Sequence, residues 1–465
     1  MTEALHYQSI MQVSAALRSG KLSPVDLLEA ILDRVAALDP KLHGYLLVTA
    51  EAARIEARSA AVEIASGRYR GPLHGVPIAF KDLNFTKGVA TTFGMRVHKD
   101  FVPEFDGTPV HRLKVAGAVT LGKLNLHEGA FGEHHPDWEK PLNPWNTDYW
   151  PGGSSSGSGV ATASGMCFAS TGSDTGGSIR FPSHACSVTG VKPTWGRVSR
   201  YGAFPLSESL DTIGPMARSA ADCAAMLAEM AGYDAHDPTS LRAPVPDFLA
   251  ALDGVLGARG MKIGLDMTYV GQDNDAETIA VIEAAAAVFA AIGAEVVPVN
   301  VPDVTDVANA QMAYCQVESA TFHKEAYLKA PDDFGHHLGK AVADGMAYDP
   351  VRYAKHQIDR DIFKGRLRLM FEEVDAILTP VMPGVGVKYA DMDAFMANIP
   401  TLLRYTCPFN MSGSPTVTMP GGFSSLDLPI GFQLVGPHLS EDRLLAASHA
   451  FQQATDWHLR RPPVG

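Results

Sequence analysis

Apolar positions fall into two rhythms along this chain. From Ser23 onward, Val25, Leu28, Ile31, Leu32 and Val35 recur at the three-and-four spacing of an amphipathic helix. Ser23 suits the N-cap of that helix, Pro24 its first position and Asp26 its first turn. Ser9–Arg18 and Ala50–Ser66 read the same way, so residues 5–66 are predicted to be packing helices. The rhythm then changes. Val76 to Phe80 is a short apolar run bounded by turn residues, the mark of a buried strand. Similar strands are predicted at Val119–Lys123, Met166–Thr171, Met261–Leu265, Gly293–Val299, Val374–Pro380, Ser414–Pro420 and Pro429–Gly436. Val188–Tyr201 holds shorter ones broken by Pro and Gly.

Helices are predicted at Val110–Val115, Val160–Ser164, Ser219–Met230, Asp275–Ile292, most of 303–372, and Ser440–Thr455. Residues 133–151 and 233–258 read as loops. The alternation argues for an α/β fold. A mixed, mostly parallel twisted sheet is expected, covered by helices on both faces. The strand, helix, strand order over 261–299 suggests one βαβ unit in that sheet. No clear break appears, so 1–465 is read as a single large domain.

Composition narrows the function classes. The 465 residues are 46% hydrophobic, enough for a sizeable core. Lys plus Arg is 38 against 51 Asp plus Glu, a formal charge of −13 with no basic cluster. That disfavours nucleic-acid binding. Cys167, Cys186, Cys223, Cys315 and Cys407 are scattered, odd in number and form no C-x-x-C pair, which fits reduced thiols. Met1-Thr2-Glu3-Ala4 does not open like a signal peptide, and no run is long enough to span a bilayer. A cytoplasmic protein is expected, as a monomer or homodimer. His134-His135 raises the thought of a metal, but no further ligands stand at a defined spacing, so none is expected.

The chemistry concentrates between Gly152 and Arg180. Eight consecutive Gly/Ser residues, 152–159, resemble a linker by composition, yet apolar segments flank them on both sides. A second glycine pair follows in Gly172-Ser173-Asp174-Thr175-Gly176-Gly177-Ser178. Successive N–H groups in such a turn form a concavity for negative charge. A phosphate loop would need a lysine after the glycines, and none is there. The remaining candidate is the oxyanion of an acyl-transfer intermediate, with Ser178 as nucleophile. Its base is open on spacing alone: His184, or Lys81 with the serines at 154–156. Lys81 closes the strand Val76–Phe80, as either a solvated rim lysine or a buried base.

Three motifs carry a family resemblance: Gly75-Val76-Pro77-Ile78-Ala79-Phe80-Lys81-Asp82, Pro151-Gly152-Gly153-Ser154-Ser155, and Gly172 through Arg180. The chain resembles the amidase signature family of serine hydrolases, most strongly over Gly71–Pro215 and again at Cys407–Val435 and Gln452–Pro463. The family sets its nucleophile 24 residues after a bridging serine, and 178 − 154 = 24. The resemblance therefore implies a Ser178, Ser154, Lys81 triad with a cis Gly153–Ser154 peptide. It implies an oxyanion hole from the N–H groups of Thr175, Gly176, Gly177 and Ser178, with Ser155, Asp174 and Arg180 bracing the loops. Ser156 departs from the glycine of many members. By the same analogy 1–70 is a helical N-terminal segment, 71–220 the catalytic core, 230–400 a variable pocket-shaping half, and 401–465 returning core strands and a closing helix. Pocket walls are expected from the 126–150 loop, Arg197–Phe204 and 310–345, with Glu128, Phe131, Arg197 and Tyr201 as candidates.

The implied activity is hydrolysis of a small or aryl amide through an acyl-enzyme, without a cofactor. Carbamate or ester cleavage is the alternative. The glutamyl-tRNA amidotransferase member of the family is less favoured, because Gln316–Lys324 lacks the Ser-rich Arg-Tyr-Asp-Gly segment that it carries. A non-catalytic binding module and a nucleotide-binding protein are the readings from other classes.

Overall fold

The computed structural model describes residues 4–253 and 257–464. Met1–Glu3 and part of the 233–258 loop therefore lie outside the described residues. The predicted N-terminal helices form at Ile10–Arg18, Pro24–Leu42 and Ala50–Ala65. Ser9 closes a capping box with Gln12, and the Ser23 hydroxyl accepts from the Val25 N–H with Pro24 as the first helical residue. Leu28 and Ile31 are fully buried. Each contributes about 1.5–3 kcal/mol relative to an exposed side chain.

Among the described residues eleven strands make one sheet: β1 (Tyr45–Val48), β2 (Pro77–Lys81), β3 (Val119–Leu124), β4 (Ala169–Asp174), β5 (Thr189–Lys192), β6 (Thr212–Ala217), β7 (Lys262–Leu265), β8 (Glu295–Pro298), β9 (Ala376–Pro380), β10 (Thr416–Phe423) and β11 (Pro429–Val435). Their order is β1-β3-β2-β4-β6-β5-β10-β11-β9-β7-β8, with helices flanking the sheet in a single large α/β domain. The expected βαβ unit is β7 and β8, which pair in parallel around the helix Ala276–Ala291. The parallel majority needs correcting. The sheet is mixed, and six of its ten strand pairs are antiparallel. No helix crosses over between β5 and β6 or between β10 and β11, so those neighbours return antiparallel.

The parallel set β3-β2-β4 places the site. Because β2 and β4 run in parallel, Lys81 and Asp174, the last residues of each, emerge at the same edge. The connection between β3 and β4 carries the fully buried helix Ser156–Ala163, so half of the Gly/Ser run is helical. Gly157 explains why small residues are needed there. A Cβ on it would stand 2.3 Å from the Gly44 carbonyl oxygen and 2.6 Å from the Asn125 nitrogen, both backbone atoms. No described helix is long and apolar enough to cross a membrane.

Gly157→Ala is expected to destabilise the fold by about 1–3 kcal/mol, because the crowding atoms cannot swing aside. A lowered denaturation midpoint checks this, and an unchanged midpoint contradicts it.

Candidate active site

Lys81 is fully buried at the end of β2. Its Nζ lies 2.8 Å from Ser154 Oγ, 2.9 Å from Ser155 Oγ and 2.7 Å from Ser173 Oγ. Among the described residues no carboxylate forms an ion pair with it. Burial pulls its pKa from the ordinary lysine range to about 7, while the charges of Asp174 and Asp211 pull back. The rim-lysine alternative is thus replaced by a desolvated amine ringed by hydroxyls. The Gly153–Ser154 peptide is cis.

Ser178 sits on the turn after β4 and is half-buried, opening into the same cavity as Ser154. Its Oγ makes no hydrogen bond to a described residue, so the two hydroxyls share a pocket without touching here. Catalytic contacts are often loose in a free enzyme and tighten with substrate. His184, the other candidate base, is elsewhere: its Nδ1 accepts from the Gly431 N–H at 3.0 Å.

The turn itself is held by one carboxylate. Asp174 accepts from the N–H groups of Gly177 at 2.9 Å and Ile179 at 3.0 Å. Arg180 grips it with a fork, Nη2 at 2.8 Å from Oδ1 and Nε at 3.0 Å from Oδ2, with both side chains buried. Burial opposes ionisation, but the guanidinium outweighs it and holds the carboxyl well below the usual range. Of the four N–H groups expected at the oxyanion hole, that of Gly177 is donated to Asp174 in this structure. The N–H groups of Thr175, Gly176 and Ser178 make no hydrogen bond to a described residue. Glycine is needed at 177, where φ is 140°.

Several supporting residues were given no role by the sequence reading. Ser173 is the third hydroxyl on Lys81. Asp211 accepts from Thr175 Oγ1 at 2.6 Å, and burial pushes its pKa up to about 6. Asn410 donates to Asp174 Oδ1 at 2.8 Å, and Gln311 donates to the Thr175 carbonyl at 2.8 Å. Ser173 lies within the Gly172–Arg180 motif, where nothing set it apart from its neighbours, and Asp211, Gln311 and Asn410 lie outside the motifs.

The cavity in front of Ser178 measures about 310 Å³ and is walled by Phe131, Trp150, Phe181, Met312, Leu402 and Leu403. Of the four predicted wall residues, only Phe131 lines it. Glu128 is buried behind, where both its oxygens accept from the Gly335 N–H at 2.9 and 3.0 Å. It thereby pins the start of the helix His336–Met346, whose His337, Lys340, Ala341 and Asp344 do face the cavity. Arg197 points away, donating to the Pro244 carbonyl at 2.7 Å. Tyr201 borders an adjoining cavity of about 160 Å³ that shares Ala130, Thr175 and Leu206 with the first, and its ring is stacked between Phe105 and His236. His134 meets Ser156 Oγ at 3.0 Å and His135 lies 3.7 Å from Asp137.

A family model described as Amidase matches residues 26–445. The chain is 40% identical to the protein named "Putative amidase AmiD" of Mycobacterium tuberculosis, over 99% of this chain and 97% of that one. It is also 40% identical to a glutamyl-tRNA(Gln) amidotransferase subunit of Methylococcus capsulatus, over 98% of this chain and 99% of that one. Among solved structures, the peptide amidase of Stenotrophomonas maltophilia superimposes with a TM-score of 0.85 at 31% identity, covering 98% of each chain.

Arg180→Leu would leave Asp174 charged and unpaired in the interior. It is expected to cost about 3–5 kcal/mol of stability, read from chemical denaturation. A midpoint equal to that of the native protein contradicts this role.

Proposed function

The chain belongs to the amidase signature family of amide-hydrolysing enzymes, and on that premise we propose that it cleaves small or aryl amides through an acyl-enzyme on Ser178. The observation that carries the reading is the contact between Lys81 Nζ and Ser154 Oγ at 2.8 Å, made by an amine with no carboxylate partner among the described residues. An amine with a pKa near 7 is substantially neutral at physiological pH and offers a lone pair.

In this reading Lys81 takes the proton of Ser154 as Ser154 takes that of Ser178. The Ser178 oxygen attacks the carbonyl carbon. The oxyanion that forms is met by the N–H groups of Gly176 and Ser178, with Thr175 beside them. Ser154 then gives a proton to the departing nitrogen, the C–N bond breaks, and the amine leaves. Water repeats the sequence on the ester and frees the acid. Asp174 and Arg180 hold the turn, and Ser155 links the two loops, its Oγ accepting from the Ser173 N–H at 3.3 Å.

The apolar walls favour a substrate with an aryl or alkyl acyl group over a strongly charged one. Carbamates and esters fit the same route and form the second reading. A panel of anilides, aliphatic amides and carbamates separates these leaving groups.

The pH profile follows from the sign of the Lys81 shift. The protonated amine is inactive and the neutral one active. So kcat/KM is expected to rise with unit slope through pH 6 and level off above about pH 7–8. Lys81→Ala is expected to lower kcat/KM by about 10²–10⁴ and abolish that limb. A flat native profile from pH 5 to 9, or fluorophosphonate labelling that survives Ser178→Ala, contradicts the proposal.

A further inference from the structure

The polar side chains lining the cavity are mostly engaged with the protein. Gln311 donates to Thr175, and Gln316 and Lys340 both donate to Asp344, at 3.2 and 2.7 Å. His127 is different. Its backbone N–H donates to the Ser154 carbonyl at 3.2 Å, which ties it to the bridging serine. Its ring lies against Gly153, where a Cβ would meet Cε1 at 2.2 Å and Nε2 at 2.3 Å. Glycine at 153 is what lets the imidazole approach the Gly153–Ser154 peptide.

The ring lines the cavity beside Ser154, with a residual 7% exposure. Apart from an approach to the backbone of Gly132, no hydrogen bond to a described residue engages it. The ring forms part of the cavity wall, and neither of its nitrogens is among the sealed buried polar atoms that lack partners. His134 and Trp150 pack on the ring at centroid distances of 4.5 and 6.3 Å and fix its plane. Burial, with smaller effects from His134 and Lys81, holds the imidazole neutral. A neutral imidazole whose one N–H turns to the backbone presents its other nitrogen as an acceptor.

An acceptor there has a specific use. When a tetrahedral intermediate collapses, the departing nitrogen must aim its lone pair at the hydroxyl that protonates it. An amide nitrogen still carries N–H, and a group accepting that hydrogen fixes the lone pair on the opposite side. An ester oxygen has no such hydrogen. We propose that His127 accepts a hydrogen bond from the N–H of the leaving nitrogen and so turns its lone pair toward the Ser154 hydroxyl. The ligand class this subsite takes is the unsubstituted or singly substituted carboxamide. The inference rests on the roles of Ser154 and Ser178 proposed above.

The test uses the full-length enzyme with a matched pair of substrates, a primary amide and a methyl ester of one arylacetic acid. His127→Phe removes the acceptor, and His127→Gln restores one. The ratio of amide to ester kcat/KM is expected to fall at least ~10-fold in His127→Phe, chiefly through kcat, the loss of about one hydrogen bond. His127→Gln is expected to recover most of it. Fluorophosphonate labelling of Ser178 in both variants reports that the fold and nucleophile are intact. A ratio within twofold of native in His127→Phe overturns the proposal, as does a ratio in the labelled His127→Gln enzyme that stays as low as in His127→Phe. A native enzyme that is neither labelled nor active on either substrate removes the Ser178 reading itself, and this one with it.

Discussion

Everything at this site depends on keeping a lysine dry without giving it a counter-ion. Three serine hydroxyls satisfy Lys81 Nζ, and none of them carries charge. A carboxylate in direct contact would favour the ammonium and remove the lone pair. The two acidic groups whose charges act on it are occupied elsewhere. Asp174 is committed to Arg180, Asn410 and the N–H groups of its own turn. Asp211 accepts from Thr175 Oγ1 and from the N–H groups of Leu206 and Ser207. Their fields raise the lysine's pKa only partly against burial.

The fold supplies this arrangement from separate pieces of chain. Parallel pairing of β2 with β4 brings Lys81 and Ser173 to one edge. The tightly seated helix Ser156–Ala163 delivers Ser154 and Ser155 from its N-terminal side. The second half then locks the turn from outside. Arg180 donates to the Thr406 carbonyl at 2.8 Å, and the Thr406 hydroxyl donates to the Gly176 carbonyl at 2.6 Å. Stability and chemistry are coupled here, because the groups that fix the turn are buried charges and hydrogen bonds whose loss is costly.

Much of this was legible in the sequence, and the failures have physical causes. Val76–Phe80 read clearly as a strand because turn residues bound a pure apolar run. β1 is four residues between two helices and left no rhythm. Thr212–Ala217 contains Gly214 and Pro215, which suppress strand propensity, yet pairing with β4 and β5 overrides that. The start of the helix at Ser156 was hidden because Ser and Gly are poor helix formers and burial decides instead. Lys81, Ser154 and Ser178 stood out through motif spacing. Glu128, Arg197 and Tyr201 did not behave as expected, because side-chain direction in an irregular loop follows no period. Asp211 and Asn410 are common polar residues whose importance appears only when the chain is folded, and Ser173, though inside a motif, shows its contact with Lys81 only then.

Whether Lys81 is neutral near physiological pH is tested most directly by its own titration. Enzyme carrying lysine labelled with ¹³C at Cε would report each amine by NMR, with the Lys81 signal assigned by its loss in Lys81→Met. A titration midpoint within about one unit of pH 7 is expected. A midpoint at the ordinary lysine value of about 10.4 would contradict it.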